Sequence, residues 1–325
     1  VKPFLRRGVN LTNWLRYPPS YDRVALASYI SEAAMAGLRR TGFDFIRLMV
    51  QPSVVTGDRI NLVTGAIARL HRHRLVVIVG PYFGADPDAA ALVDFWQRLA
   101  PVLRPLDPGA TVAEVLNEPV FSGGAAEWWK LQTDIVAMIR TDLPGRRIVA
   151  TGNDWGGIDG LLALHPVDDP NIIYSFHFYD PAELTSLAAY RPGLDRAALA
   201  RQPFPMGASG CAAAEATPDA ATRDLIRFVC ATRWDEAAVD ARIAAAASWG
   251  TRYRVPVLLG EFGATAALNA PARLAWLSAV RRACEARGIG WALWGYDDAM
   301  GFGVRPAGGG APALDTAVLG ALGLG

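Results

Sequence analysis

Thr111-Val112-Ala113-Glu114-Val115-Leu116-Asn117-Glu118-Pro119 holds a strand and a carboxylate in one short run. Its short apolar run, rich in β-branched residues, predicts a buried strand. The run delivers an Asn-Glu pair to its C-terminal end, and a proline stops it. Pro119 has no N–H to give to a sheet ladder and turns Glu118 away from helical geometry, which sets that carboxylate at the strand mouth. A lone glutamate at a strand end is more often a structural acceptor. What matters is whether the chain supplies a second one in the same setting.

Working outward, similar runs recur between helical patterns. Arg7 to Thr12, Phe43 to Val50 and Leu75 to Val79 precede the opening stretch; Arg147 to Thr151, Asn171 to Tyr179, Val255 to Leu259 and Ile289 to Tyr296 follow it. Helices are predicted at Ser31 to Arg40, Arg59 to Arg74, Asp88 to Leu103, Ala125 to Thr141, Ile158 to Leu164, Asp235 to Trp249, Pro271 to Arg287 and Leu314 to Leu322, with Pro271 near the first turn. Eight buried-type strands alternating with helices predict a parallel α/β fold. No Gly-rich nucleotide fingerprint follows the first strand, so a single (β/α)8 TIM barrel over 1–325 is favoured over a doubly wound sheet. The rhythm lapses between Asp180 and Trp234, which reads as a long irregular insertion after strand six, at one strand end.

Composition narrows the function. With 52% hydrophobic and 19% charged residues the chain is globular, and 32 basic against 31 acidic residues leave a net charge of +1. That balance gives no electrostatic case for a nucleic-acid or anionic-membrane partner, and no apolar run reaches transmembrane length. The sequence begins at Val1, which reads as a processed or trimmed product. Cys211 and Cys230 bracket the insertion, where a disulfide would close a loop otherwise costly to order; Cys284 reads as a buried free thiol. Ten tryptophans divide between core filling and flat faces for stacking on sugar rings. Trp155 and Trp234 are candidate sugar platforms, whereas Trp14, Trp128 and Trp129 read as packing.

The second carboxylate lies in Val257-Leu258-Leu259-Gly260-Glu261-Phe262-Gly263, where an apolar strand again ends in a glutamate. With Glu118 on strand four and Glu261 on strand seven, both point into the C-terminal mouth of a barrel, where barrel enzymes keep their sites. Carboxylates facing each other there can hold the separation of about 5–5.5 Å that retaining glycosidases need. Strand two adds Arg47, a permanent cation able to keep a carboxylate ionised. Strand six adds His177 and Tyr179 on one face, and strand eight adds Trp294 as a floor for a sugar ring. His71-Arg72-His73 sits at a helix end before strand three, away from the strand C-termini that barrel metallohydrolases use, so no metal site is predicted. Asn10-Leu11-Thr12 fits a glycosylation sequon, but its asparagine should face the barrel mouth.

In this order and spacing, Gly8-Val9-Asn10 to Trp14, Ile46-Arg47-Leu48, Leu116-Asn117-Glu118-Pro119, His177-Phe178-Tyr179, Gly260-Glu261-Phe262-Gly263 and Trp294 resemble glycoside hydrolase family 5, the retaining cellulase-type (β/α)8 barrels. The resemblance implies Glu118 as general acid/base and Glu261 as nucleophile. It implies that Asn117 binds the substrate 2-hydroxyl, Tyr179 hydrogen-bonds the nucleophile and Arg47 orients it. His177 would tune the acid/base, and Trp294 would stack on the sugar beside the scissile bond. It implies no cofactor. Val79-Gly80-Pro81-Tyr82-Phe83 departs from the family pattern by lacking a histidine at the end of strand three, a glycan contact left to Tyr82 or another residue.

The leading expectation is a monomeric, endo-acting β-glycanase, with β-1,4-glucan first among substrates and β-mannan, β-1,3-glucan or a bacterial exopolysaccharide behind it. Double displacement asks for a raised pKa at Glu118 and a low one at Glu261. Exo action or transglycosylation follows if the 180–234 segment walls off one end of the cleft. A carbohydrate-binding pseudoenzyme is disfavoured, since a binder has no need of two facing carboxylates. Polymeric substrates lie outside the cytoplasm, so a secreted or periplasmic location is expected.

Overall fold

Eight strands hydrogen-bond in chain order into a closed parallel barrel: β1 (Arg7–Asn10), β2 (Phe45–Val50), β3 (Val76–Pro81), β4 (Thr111–Glu114), β5 (Ile148–Thr151), β6 (Ile172–Phe178), β7 (Val257–Phe262) and β8 (Gly290–Leu293). This is the (β/α)8 barrel expected from the alternation, seen in a computed structural model that describes residues 4–18, 20–84, 88–303 and 312–325. Helices fall where the patterns placed them. Ser31 and Asp88 cap Glu32–Thr41 and Ala89–Leu103 by accepting backbone N–H bonds, and Pro271 sits in the first turn of Ala270–Ala286.

The barrel interior is built in layers, because every second residue of a strand points the same way. Phe45, Ile78, Val112, Val149, Ile173 and Leu258, one from each of β2 to β7, form an apolar plug low in the barrel. At β1 the ring of Phe45 takes the space beside Gly8, where a Cβ would come within 2.3 Å of it. Two residues further along the same six strands stand Arg47, Gly80, Glu114, Thr151, Ser175 and Gly260. The chemistry changes from apolar to polar within one layer. The strand faces turned outward join the helices in one large apolar core.

One residue count matters for the site. β6 and β7 pair Phe176 with Leu259 but His177 with Glu261, so Gly260 is an extra residue, a β-bulge. Leu258 points inward, and strict alternation would send Glu261 out toward the helices. The bulge resets the alternation and turns Glu261 into the barrel. Gly260 fits because a Cβ there would lie 2.4 Å from Ser175 Oγ.

The stretch after β6 departs from the irregular insertion expected for 180–234. It carries four short helices, Ala182–Thr185, Arg196–Leu199, Ala208–Glu215 and Ala220–Ala231, before Glu236–Tyr253 resumes the barrel pattern. Asp195 and Asp219 cap the second and fourth of these, so polar residues that read as loop signals are helix starts. Cys211 and Cys230 are bonded, with Cα atoms 6.1 Å apart, and tie the third helix to the fourth; Cys284 is free and buried.

Candidate active site

Arg47 stands at the centre of the polar layer with none of its surface exposed. A guanidinium has five N–H donors, and all five are used. Nε and Nη2 donate to the two oxygens of Glu114 at 2.7 and 2.6 Å, a bidentate pair. Nη1 donates to Asn10 Oδ1 at 2.9 Å and to Glu261 Oε1 at 2.5 Å, and Nη2 also donates to Asn117 Oδ1 at 2.8 Å. Burial alone would lower the pKa of Arg47, but the charges of Glu114 and Glu261 raise it, so the cation persists. Its single charge faces two buried carboxylates. Glu114 takes the bidentate pair of bonds and Glu261 a single one. Glu114 was not singled out from the sequence, although its place two residues after an interior valine marks it as inward-facing. Asn10 does face the mouth as expected, and its Nδ2 also donates to the carbonyls of Gly260 and Leu293, tying β1 to the two strands beside the site.

Glu118 lies in the loop after β4, whose ladder ends at Glu114, with Asn117 N–H still donating to the Pro81 carbonyl at 3.2 Å. Its backbone is turned away from right-handed helical geometry: φ is +41°, in the left-handed region, at a cost of about 1–3 kcal/mol. The surrounding contacts hold it there. His177 Nδ1 is 3.0 Å from Glu118 Oε1 and 3.5 Å from Glu261 Oε2, so one ring nitrogen faces both carboxylates, and it is the donor whenever both are ionised. Asn117 Nδ2 donates to Glu118 Oε2 at 3.4 Å. Tyr179 donates its hydroxyl to Glu261 Oε2 at 2.9 Å, and its own pKa is pushed far up by burial and by the charges of Glu261 and Glu118, which keeps it a donor.

The acidity of Glu118 corrects one expectation. Burial raises it, but the hydrogen bond from His177 and the charges of His177, Arg47 and Arg16 outweigh burial and hold the carboxyl below the ordinary glutamate range. A raised value was expected from double displacement; the His177 contact, invisible as a distance in sequence, reverses the direction.

The walls are aromatic on both sides. After β5, Trp155 is 49% exposed and its backbone N–H donates to the Pro119 carbonyl at 3.3 Å, which ties this loop to the one that carries Glu118. Trp234 instead leans on Phe178, with ring centroids 6.4 Å apart, and is half-buried. Trp14 and Trp128 are core residues, whereas Trp129 is 37% exposed and donates from its indole to the His165 carbonyl. On the β1–β3 side, Tyr82 bonds its hydroxyl to that of Tyr17 at 2.6 Å. The guanidinium of Arg16 lies 4.2 Å from the Tyr17 ring, 4.1 Å from that of Tyr82 and 4.6 Å from that of Trp294. Arg16 was not singled out from the sequence. Beneath it, buried Asp297 accepts from the N–H groups of Thr12 and Asn13, both at 3.2 Å, and from the hydroxyl of Tyr29. That locks the loop after β1 to the one after β8.

Donor atoms of Glu118, His177 and Glu261 all lie within 4.8 Å of one another, a spacing that could also suit a metal. Arg47 already holds Glu261, and the Nδ1 proton of His177 faces both acids. The group therefore reads as an acid pair with its supports.

Comparison with known proteins agrees with this geometry. The description "Cellulase (glycosyl hydrolase family 5)" matches residues 23–299. Endoglucanase 3 of Fibrobacter succinogenes is 26% identical over 331 residues, covering 90% of this chain and 49% of that protein. Endoglucanase C of Acetivibrio thermocellus is 24% identical over 210 residues, covering 57% of this chain and 60% of its own length. The chain thus spans about half to three-fifths of these two relatives. Among solved structures, endoglucanase Cel5A from the hyperthermophilic Thermotoga maritima superposes with a TM-score of 0.79 at 21% identity, covering 99% of this chain and 100% of that one. The clostridial cellulose synthase subunit Z from Clostridioides difficile gives 0.74 at 23% identity, covering 98% and 99%. A profile match across most of the chain, on a barrel whose fourth and seventh strands bring two glutamates together, shows that this chain belongs to glycosyl hydrolase family 5.

Proposed function

We propose that the chain is a retaining β-glycanase that cuts β-1,4-glucan internally, the whole barrel acting as one catalytic unit with the 180–234 helices beside its mouth. The observation that carries this reading is the convergence of Glu118 and Glu261 on His177 Nδ1, with carboxylate oxygens no more than 4.8 Å apart. So close an approach supports the short separation of a retaining pair over the wider one of inverting enzymes. Glu261 attacks the anomeric carbon while Glu118 protonates the leaving oxygen; a water deprotonated by Glu118 then releases the sugar. Asn117 is placed beside both Arg47 and Glu118 to meet the 2-hydroxyl. Trp155 offers a face on one side of the acids, and Arg16 with Trp294 lines the other, where a strand-three histidine is lacking. Endoglucanase names among the relatives favour internal cleavage of glucan. A secreted or periplasmic location fits a polymeric substrate and the Cys211–Cys230 bond. Among the described residues no helix is long and apolar enough to cross a membrane.

The test is product analysis on β-1,4-glucan, β-mannan and β-1,3-glucan, with reducing ends counted from the first minutes. A spread of oligosaccharides from β-1,4-glucan supports the proposal. A single small product from the outset means exo action, and no release from any β-glycan overturns it.

A second expectation concerns Glu118. Because its carboxyl is held below the ordinary range, kcat/KM should rise as pH falls from neutrality, until the nucleophile itself is protonated. Glu118→Ala should lose about 10²–10⁴-fold on unactivated glucan and lose the alkaline limb of the profile. Aryl glycosides with good leaving groups should still glycosylate Glu261, giving a burst followed by slow turnover. An alkaline limb unchanged in Glu118→Ala would assign the proton donor elsewhere.

A further inference from the structure

Directly behind His177, three buried polar atoms have no hydrogen-bond partner among the described residues: Thr151 Oγ1, Ser175 Oγ and His177 Nε2. They belong to one neighbourhood. Thr151 of β5 is in register with Ser175 of β6, and Ser175 and His177 share the inward face two residues apart. Thr151 and Ser175 are fully buried and His177 is 4% exposed. The bulge at Gly260 completes the picture from β7. A Cβ on Gly260 would lie 2.4 Å from Ser175 Oγ and 3.3 Å from His177 Nε2, so both polar atoms crowd the same glycine and stand within the span of one bridging water.

Each unsatisfied buried polar group costs about 1–3 kcal/mol, so a cluster of them calls for a shared partner. Two hydroxyls and a ring nitrogen, all buried and without partners, are the surroundings in which buried water is held. We propose that Thr151, Ser175 and the glycine bulge at Gly260 form a seat for a buried water that hydrogen-bonds His177 Nε2, making Ser175 a positioning residue for Glu118. The second half rests on the acid/base role proposed above.

The chemistry follows from the two ends of the imidazole. Nδ1 faces Glu118 and Glu261, while the charges of Arg47 and Arg16 and the hydroxyl of Tyr179 act on that same carboxylate side. None of these groups bonds Nε2. Water and hydroxyls both donate and accept, so the seat satisfies Nε2 whether or not it carries a proton. With the proton on Nδ1, a water donating to Nε2 draws density from the ring and strengthens the Nδ1–H bond to Glu118. Without it that bond weakens, and Glu118 holds its own proton to higher pH. The absence of a side chain at Gly260 therefore has two consequences: the bulge aims Glu261, and Ser175 Oγ and His177 Nε2 can both lie against the glycine, where a Cβ would displace them.

The test compares Ser175→Val with Ser175→Thr, two side chains of equal volume that differ by one hydroxyl. The chain has only four histidines, so the imidazole 15N signals of His177 can be assigned by their loss in His177→Gln. Ser175→Thr should keep the wild-type Nε2 resonance and the wild-type alkaline limb of kcat/KM. Ser175→Val should move Nε2 toward an imidazole nitrogen without a partner and shift the alkaline limb to higher pH. Thr151→Val, also isosteric, supplies the same comparison should Ser175→Val fail to fold. Coincident Nε2 resonances in the Val and Thr variants overturn the seat. Separated resonances with coincident pH limbs overturn the positioning role. Separated resonances in a protein that cleaves no β-glycan leave the seat standing and remove the glycanase reading instead.

Discussion

Glu261→Ala should lower hydrolysis of β-glucan by on the order of 10⁴–10⁶-fold, the range seen when a nucleophile is removed from a preorganised site. The size of the loss follows from what surrounds the residue. Glu261 is 3% exposed, receives Arg47 Nη1 and the Tyr179 hydroxyl on its two oxygens, and is aimed inward by the bulge at Gly260. Truncation to alanine leaves a cavity the size of a carboxylate, lined by those two donors and open toward the anomeric carbon. Azide fits that description as a small anion. With an aryl β-glycoside it should restore turnover and yield the α-glycosyl azide, because it attacks from the side Glu261 has vacated. The same anion in Glu118→Ala should give the β-glycosyl azide, since there it acts on the glycosyl-enzyme after one inversion. The stereochemistry of the two azides assigns the roles independently of rate. A β-azide from Glu261→Ala would exchange them.

How far this site was legible depends on which residues are asked about. Glu118 and Glu261 could be read because each ends an apolar run, and Arg47, His177 and Tyr179 because a charge or polar group in a buried strand needs a reason. Glu114 is hidden inside the apolar run of 111–116, although counting by two from Val112 puts it on the same inward face. The bulge at Gly260 could not be read at all. It exists only as a mismatch between β6 and β7, and a single strand carries no record of its partner's register. The acidity of Glu118 failed for a related reason: its direction depends on a 3.0 Å contact with a histidine far along the chain. Arg16 has no signal beyond standing near Trp14, and its place among Tyr17, Tyr82 and Trp294 is made by loops from three strands. In the segment after β6 the capping residues were present to be read. Asp195 and Asp219 each accept from an N–H three residues on, the signature of a helix start, but prolines and glycines around them masked it.

Arg47→Met should be as damaging to the fold as Glu261→Ala is to the chemistry, and for an electrostatic reason. Glu114 and Glu261 are both buried, with side chains 1% and 4% exposed, and Arg47 is the cation that holds them. Methionine fills a similar volume without a donor, stranding two carboxylates and leaving Asn10 Oδ1 and Asn117 Oδ1 without their N–H bonds. Breaking a buried ion pair by removing one partner costs about 3–5 kcal/mol, most of it the penalty of an uncompensated buried charge. Thermal unfolding should therefore move down by roughly 10 °C, taking about 2–4 °C per kcal/mol for a domain of this order of size. Arg47→Lys should recover only part of this, because an ammonium has three donors and cannot form the paired bonds to Glu114. The double variant Arg47→Met/Glu114→Leu separates the two roles of the arginine. It removes one stranded carboxylate, so much of the lost stability should return, yet Glu261 still lacks its orienting donor and turnover should stay low. Calorimetry and kcat measured on the same three proteins decide the matter. If activity returned along with stability, Arg47 would serve only to hold the barrel together, and the orientation of Glu261 would rest on Tyr179 alone.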